Sequence, residues 1–79
     1  MHYVYILQSE NEPERYYVGL TSEPKRRLAE HNEGKSIHTN KFKPWKKVVE
    51  IGFTDPVKAN AFELYLKSGS GRAFAKKHF

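Results

Sequence analysis

The chain has 79 residues, 14 Lys and Arg against 9 Asp and Glu, a formal net charge of +5, and no cysteine. At this length one domain with a thin core is expected, since chains of this size bury only roughly 60% of their extended surface. Disulfides and thiolate zinc sites are excluded, and no apolar run is long enough to span a membrane. The basic balance favours a polyanionic partner, nucleic acid before an acidic membrane surface, because the cations are spread along the chain. The first residues lack the charge and apolar pattern of a secretory signal, and the lack of cysteine suits the cytoplasm.

Residues 3–7, Tyr-Val-Tyr-Ile-Leu, are aromatic and β-branched, apolar on both faces, and predict a buried strand. Residues 8–15 hold Pro13 and read as a loop, and residues 16–20 as a second strand returning in a hairpin. Residues 21–24, Thr-Ser-Glu-Pro, carry a helix-start signal with Ser22 as the expected cap. That helix runs through Arg27, Leu28 and His31 to a stop at Gly34, and a basic loop fills residues 35–44. Residues 45–53 read as a third strand. Thr54-Asp55-Pro56 opens a second helix, with Thr54 as its expected cap. Val57, Ala61, Leu64 and Tyr65 then share a helical face, taken as the core face, with Phe62 and Leu66 beside it. Ser68-Gly69-Ser70-Gly71 breaks the helix, leaving a last short basic turn over residues 72–79. The order strand, strand, helix, strand, helix predicts a small α/β (α+β) domain: a three-stranded antiparallel sheet flanked by helices.

Several residues carry chemistry if the elements bring them together. Alternation sets Tyr5 on one face of the first strand, and Tyr17 with Gly19 on one face of the second. Paired strands would set two phenols above a glycine that leaves room for substrate. Tyrosine is also simply common in strands. Arg27 and His31, four apart, project from one helical face, and a guanidinium beside an imidazole suits a phosphate. An exposed Arg and His on a basic helix need no such role. Glu63 offers an oxygen ligand to a hard cation, or a plain surface pair with Lys67 one turn on. His38 is a candidate for proton transfer, and Lys41 and Lys43, with Lys46 and Lys47, for tracking a backbone. The segment ending at Arg72 has the outline of a small anion nest, although a glycine helix stop accounts for it equally.

Taken together these positions resemble the GIY-YIG nuclease family, over nearly the whole chain. Tyr3-Val4-Tyr5 and Tyr17-Val18-Gly19 stand as the two signatures, with Tyr3 in place of the usual glycine and Val18 in place of isoleucine. Arg27 and His31 follow as Arg-x-x-x-His, and Glu63 matches the late helix glutamate. The pattern is similar to short stand-alone bacterial members related to the nuclease domain of the excision-repair incision subunit. Where many members carry a polar residue, often asparagine, after the glutamate helix, this chain reads Ser68-Gly69-Ser70-Gly71-Arg72.

The resemblance implies phosphodiester hydrolysis in DNA with one divalent ion, magnesium, held by Glu63, structure-selective rather than sequence-selective, in repair or recombination. Arg27 would stabilise the transition state, and Tyr5 would take a proton from water, with Tyr17 assisting or exchanging that role. Gly19, His38, Lys41, Lys43 and Arg72 would contact substrate. RNA as substrate and the oligomeric state stay open. The rival readings are a nucleic-acid-binding module that has lost cutting, and a protein-interaction domain.

Overall fold

The computed structural model describes all residues, 1–79. Its elements are β1 (His2–Ser9), β2 (Tyr16–Thr21), α1 (Pro24–Asn32), α2 (Ile37–Asn40), β3 (Trp45–Phe53), α3 (Pro56–Lys67) and α4 (Gly69–His78). The strands form one antiparallel sheet in the order β2-β1-β3, as the strand pattern predicts. No helix is long and apolar enough to cross a membrane.

Placing β1 in the middle explains why its two faces are both apolar: Val4, Tyr5, Ile6 and Leu7 are all buried. Val4 and Ile6 turn to one side, where α3 packs through Ala59 and Leu66 and α4 through Phe74 and Ala75. Tyr5 and Leu7 turn to the other, where they meet Trp45, Leu28 and Phe42. A bulge between Ile6 and Leu7 shifts the register with β3 from Val49 to Lys47.

Both expected helix caps move by one residue. Each helix has proline at its first position, so the residue before it stays extended and becomes the cap. The caps are therefore Glu23 and Asp55, not Ser22 and Thr54. Asp55 caps with its side chain, Oδ1 accepting from Val57 N at 2.9 Å. Glu23 does not, and its own N–H donates instead to Thr21 Oγ1 at 3.1 Å. The stop at Gly34 is found, with φ +78°. Gly34 N donates to His31 O and Lys35 N to Glu30 O, which closes α1 by the two-bond glycine motif.

The core face expected for the second helix is wrong. Val57 and Leu64 are 74% and 61% exposed, and Ala61 and Tyr65 are exposed too. The buried stripe is Ala59, Phe62 and Leu66, the alternative reading of nearly the same periodicity. Two contacts select it. Ala59 has no bulk to hold the helix off the sheet, and Phe62 packs on Phe53 with ring centroids 5.6 Å apart. The segment expected to break the helix and leave a short basic turn instead starts a ten-residue helix. Ser68 ends α3, and its Oγ accepts from Gly71 N to cap α4. Phe74 of α4 then meets Tyr65 edge-on. The loop of residues 35–44 holds the single helical turn α2.

The two glycines at this corner have opposite roles. A Cβ at Gly69 would meet nothing, whereas one at Gly71 would overlap the Tyr65 carbonyl. Gly69→Ala is expected to stabilise the fold by about 0.4–1 kcal/mol through the unfolded chain. Gly71→Ala is expected to cost about 1–3 kcal/mol as overpacking. Urea denaturation of the two variants checks the contrast, and equal effects would contradict it.

Candidate active site

The site is built around a backbone position without a side chain. Tyr5 on β1 pairs with Gly19 on β2, and a Cβ at Gly19 would overlap the Tyr5 ring. Glycine here lets the phenol lie flat across its neighbour strand. The room expected for substrate is filled by this ring, so Gly19 shapes the site from beneath. Tyr17 stands on the same face, its ring centroid 6.3 Å from that of Tyr5. The two signature tyrosines are thus brought together.

Helix α1 supplies the next layer. His31 is fully buried, and its Nε2 lies 3.0 Å from Tyr5 Oη. Its Nδ1 lies 2.7 Å from Thr39 Oγ1. Thr39, also buried, accepts at its carbonyl from Trp45 Nε1 at 2.9 Å. Asn32 clasps the backbone of Trp45 from both sides, donating to its O at 3.0 Å and accepting from its N. The Tyr17 ring packs against the imidazole at 4.9 Å. One turn before His31, Arg27 lies close enough for its charge to act on the Tyr5 phenol, and its Nη1 donates to Glu30 Oε1 at 2.7 Å.

These surroundings set the protonation states. Burial pushes the Tyr5 phenol above its ordinary value, against the pull of Arg27, while the charges of Tyr17 and Glu63 push it further up. Burial, and then the Arg27 charge, pushes His31 below its ordinary value. At neutral pH the centre therefore holds a neutral imidazole and a protonated phenol. A neutral imidazole donates with one nitrogen and accepts with the other. If Thr39 donates to Nδ1, then Nε2–H points at Tyr5 Oη, which accepts from it.

Glu63 is on α3, which packs on the opposite face of the sheet from Tyr5, and its charge is the weakest of those acting on the phenol. Its side chain is 15% exposed, and Oε2 lies 3.2 Å from Lys67 Nζ, so the ion pair with Lys67 is present. No three His, Asp or Glu side chains gather to enclose a metal. A single, partly sheltered carboxylate fits a hard cation that keeps several waters and takes its other ligands from phosphate oxygens.

The remaining candidates lie further out. His38 is exposed on α2 and makes no hydrogen bond, while its neighbour Thr39 holds the imidazole. Lys41 and Lys43 are exposed on the loop before β3, and Lys41 Nζ sits over Phe42 at 5.7 Å. Arg72 is on α4, which packs on the opposite side of the sheet from Tyr5. A shallow cleft of about 470 Å³, lined by Lys25, Arg26, Lys47 and Glu50 among others, opens beside Tyr3. Thr39, Asn32 and Trp45 are the residues sequence reasoning missed as parts of the site. The lone tryptophan was the available signal, since a buried indole N–H needs an acceptor.

The family model described as the GIY-YIG catalytic domain matches residues 1–77. The chain belongs to this family. It is thus the catalytic domain of a nuclease family. Its relatives include the structure-specific endonuclease subunit SLX1 of Scheffersomyces stipitis, 39% identical over 67 residues, covering 76% of this chain and 20% of the relative. The same subunit of Candida dubliniensis is 43% identical over 67 residues, covering 76% and 23%. The SLX1 homolog of Giardia intestinalis is 35% identical over 65 residues, covering 77% and 18%. The chain therefore spans about a fifth of the length of the relatives it matches.

Thr39→Val keeps the shape and removes the hydroxyl that His31 Nδ1 contacts. It is expected to cost about 1–3 kcal/mol, the effect of leaving a buried polar group unpartnered. Thr39→Ser should cost less because the hydroxyl stays. Chemical denaturation orders the two variants, and a neutral Thr39→Val would mean that water replaces the lost partner.

Proposed function

We propose that this domain is a metal-dependent endonuclease that hydrolyses phosphodiester bonds in branched DNA, recognising structure rather than sequence, in repair or recombination. The observation that carries the reading is the buried Tyr5 phenol, 3.0 Å from His31 Nε2, packed beside Tyr17 and acted on by the Arg27 charge. A surface that only binds nucleic acid needs cations, not a buried phenol in these surroundings. These relatives are named as structure-specific endonuclease subunits, which supports selection of DNA by its structure and work alongside a further subunit.

Each residue has a physical task. Tyr5 Oη takes the proton of the attacking water, and its phenolate form is stabilised by the His31 N–H and by the Arg27 charge. Thr39 fixes the His31 tautomer that turns Nε2–H toward that oxygen. Arg27 keeps N–H groups beyond the one on Glu30, and these hold a non-bridging phosphate oxygen as charge builds there. Tyr17 covers the imidazole and keeps water away from it. A divalent cation at Glu63, magnesium in this proposal, supplies charge to the phosphate and the leaving oxygen.

The Glu63–Lys67 ion pair is the one observation that favours a binding module without cutting. Plasmid, single-stranded and branched DNA, each with and without magnesium, separate the two readings. The expected outcome is magnesium-dependent cutting that prefers the branched form. Glu63→Gln keeps size and removes charge, so cleavage should fall to background while the fold and DNA binding persist. If Glu63→Gln cuts like the parent, the ion is not held there. If the parent cuts nothing with any divalent ion, the binding module is correct.

The raised phenol gives a second test. Below its pKa the phenolate fraction grows about tenfold per pH unit, so the rate at saturating DNA should climb between about pH 6 and 9. Tyr5→Phe should give a low, flat profile. A flat profile in the parent would remove Tyr5 as the base.

A further inference from the structure

The largest concavity of the molecule lies on the α3 and α4 side of the sheet and borders this site at Tyr17 and at Lys67, the ion-pair partner of Glu63. It is a groove of about 910 Å³ between α4 and the end of the β1–β2 hairpin. Its floor is apolar, made by Ile6, Val18 and Val48 from the sheet and by Leu66 and Ala75 from the helices. Tyr16 forms one wall, 59% exposed, with its hydroxyl accepting from Gln8 Nε2 at 3.2 Å. Phe79 also lines the groove and is exposed.

The charge along this groove is one-sided. Arg15, Arg72 and Lys76 line it, and none of them makes an ion pair. Lys67 is tied to Glu63, and Glu14 is the only acid in the lining. An occupant must therefore offer negative charge at the rim and flat or apolar groups to the floor. Duplex DNA offers the first without the second, because its bases are stacked inside. An acidic peptide has no ring to lay on Tyr16 at each step. Single-stranded nucleic acid has both, with phosphates for the cations and exposed base faces for aromatic and apolar surface. The volume falls in the range of about 300–1,000 Å³ typical of small-molecule sites, room for a nucleotide or two.

We propose that this groove binds the unpaired strand of a branched DNA, while the strand to be cut lies on the Tyr5 side of the sheet. The branch rests on the nuclease reading above, whereas single-strand binding by the groove does not. A domain gripping an unpaired strand on one face and a scissile phosphate on the other would select junctions by shape.

The test is fluorescence anisotropy of the full chain with a short labelled oligothymidylate and with a blunt duplex. Arg72→Ala with Lys76→Ala should weaken the oligothymidylate about tenfold at low salt, with the duplex changed about twofold or less. Tyr16→Ala should weaken the oligothymidylate about five- to tenfold through lost stacking, and Tyr16→Phe should bind like the parent. Lys35→Ala with Lys58→Ala removes equal charge elsewhere and should leave the preference for the single strand intact. Unchanged oligothymidylate binding in both groove variants would overturn the proposal. So would equal losses on single strand and duplex with Tyr16→Ala silent, the mark of a general basic surface. Tighter binding of an acidic peptide than of oligothymidylate would assign the groove to a protein instead. These readouts are affinities, so a parent that cuts no DNA would defeat the nuclease reading and leave this test standing.

Discussion

The ring of Tyr5 lies in the space that a side chain at position 19 would fill, and the candidate site is organised by that substitution of ring for side chain. Because β1 is the central strand, its residues are pinned by ladders on both sides, and the direction of Tyr5 is set by the sheet itself. The phenol must cross β2, and only a glycine beneath allows it. Once across, its hydroxyl arrives where α1 presents His31, with the Arg27 charge close by. The sheet thus fixes the phenol oxygen, and α1 fixes the groups that tune it.

Opposed electrostatic effects meet on this oxygen. Burial and nearby negative charge hold the proton on, while Arg27 draws it off. The resting balance favours the protonated form, so the group is inert toward water until more positive charge reaches the site. The neutral state of His31 has a related cause, since burial and the Arg27 charge both disfavour a cation there. Its other nitrogen is held by Thr39, whose carbonyl is in turn held by the Trp45 indole. Orientation of the phenol is thereby traced to a tryptophan at the start of β3, three hydrogen bonds away.

Much of the fold was legible because its signals are local. The strands follow from aromatic and β-branched runs, and the helix starts from proline, with the cap one residue closer to it than expected. The face of α3 was not legible. Ala59, Phe62, Leu66 and Val57, Ala61, Leu64 follow nearly the same period, and what separates them is Phe53 and the return of α4, which no window along α3 contains. In the candidate site, alternation and helical spacing put Tyr5 and Tyr17, and Arg27 and His31, on shared faces, while it was the resemblance to the family that singled them out. Thr39 was missed because its distance from His31 is bridged by a folded loop. His38 has the more suggestive chemistry on paper, yet it faces solvent while the hydroxyl beside it turns inward.

Ser68-Gly69-Ser70-Gly71 has the composition of a flexible tether, and in the folded chain it is a hinge welded shut. One serine closes a helix with its backbone and opens the next with its side chain, and Gly71 brings α4 into backbone contact with Tyr65. The wall of the groove that α4 forms is consequently held at a set gauge, like the jaw of a fixed spanner, so an occupant is sorted by calibre before any movement of the protein can accommodate it.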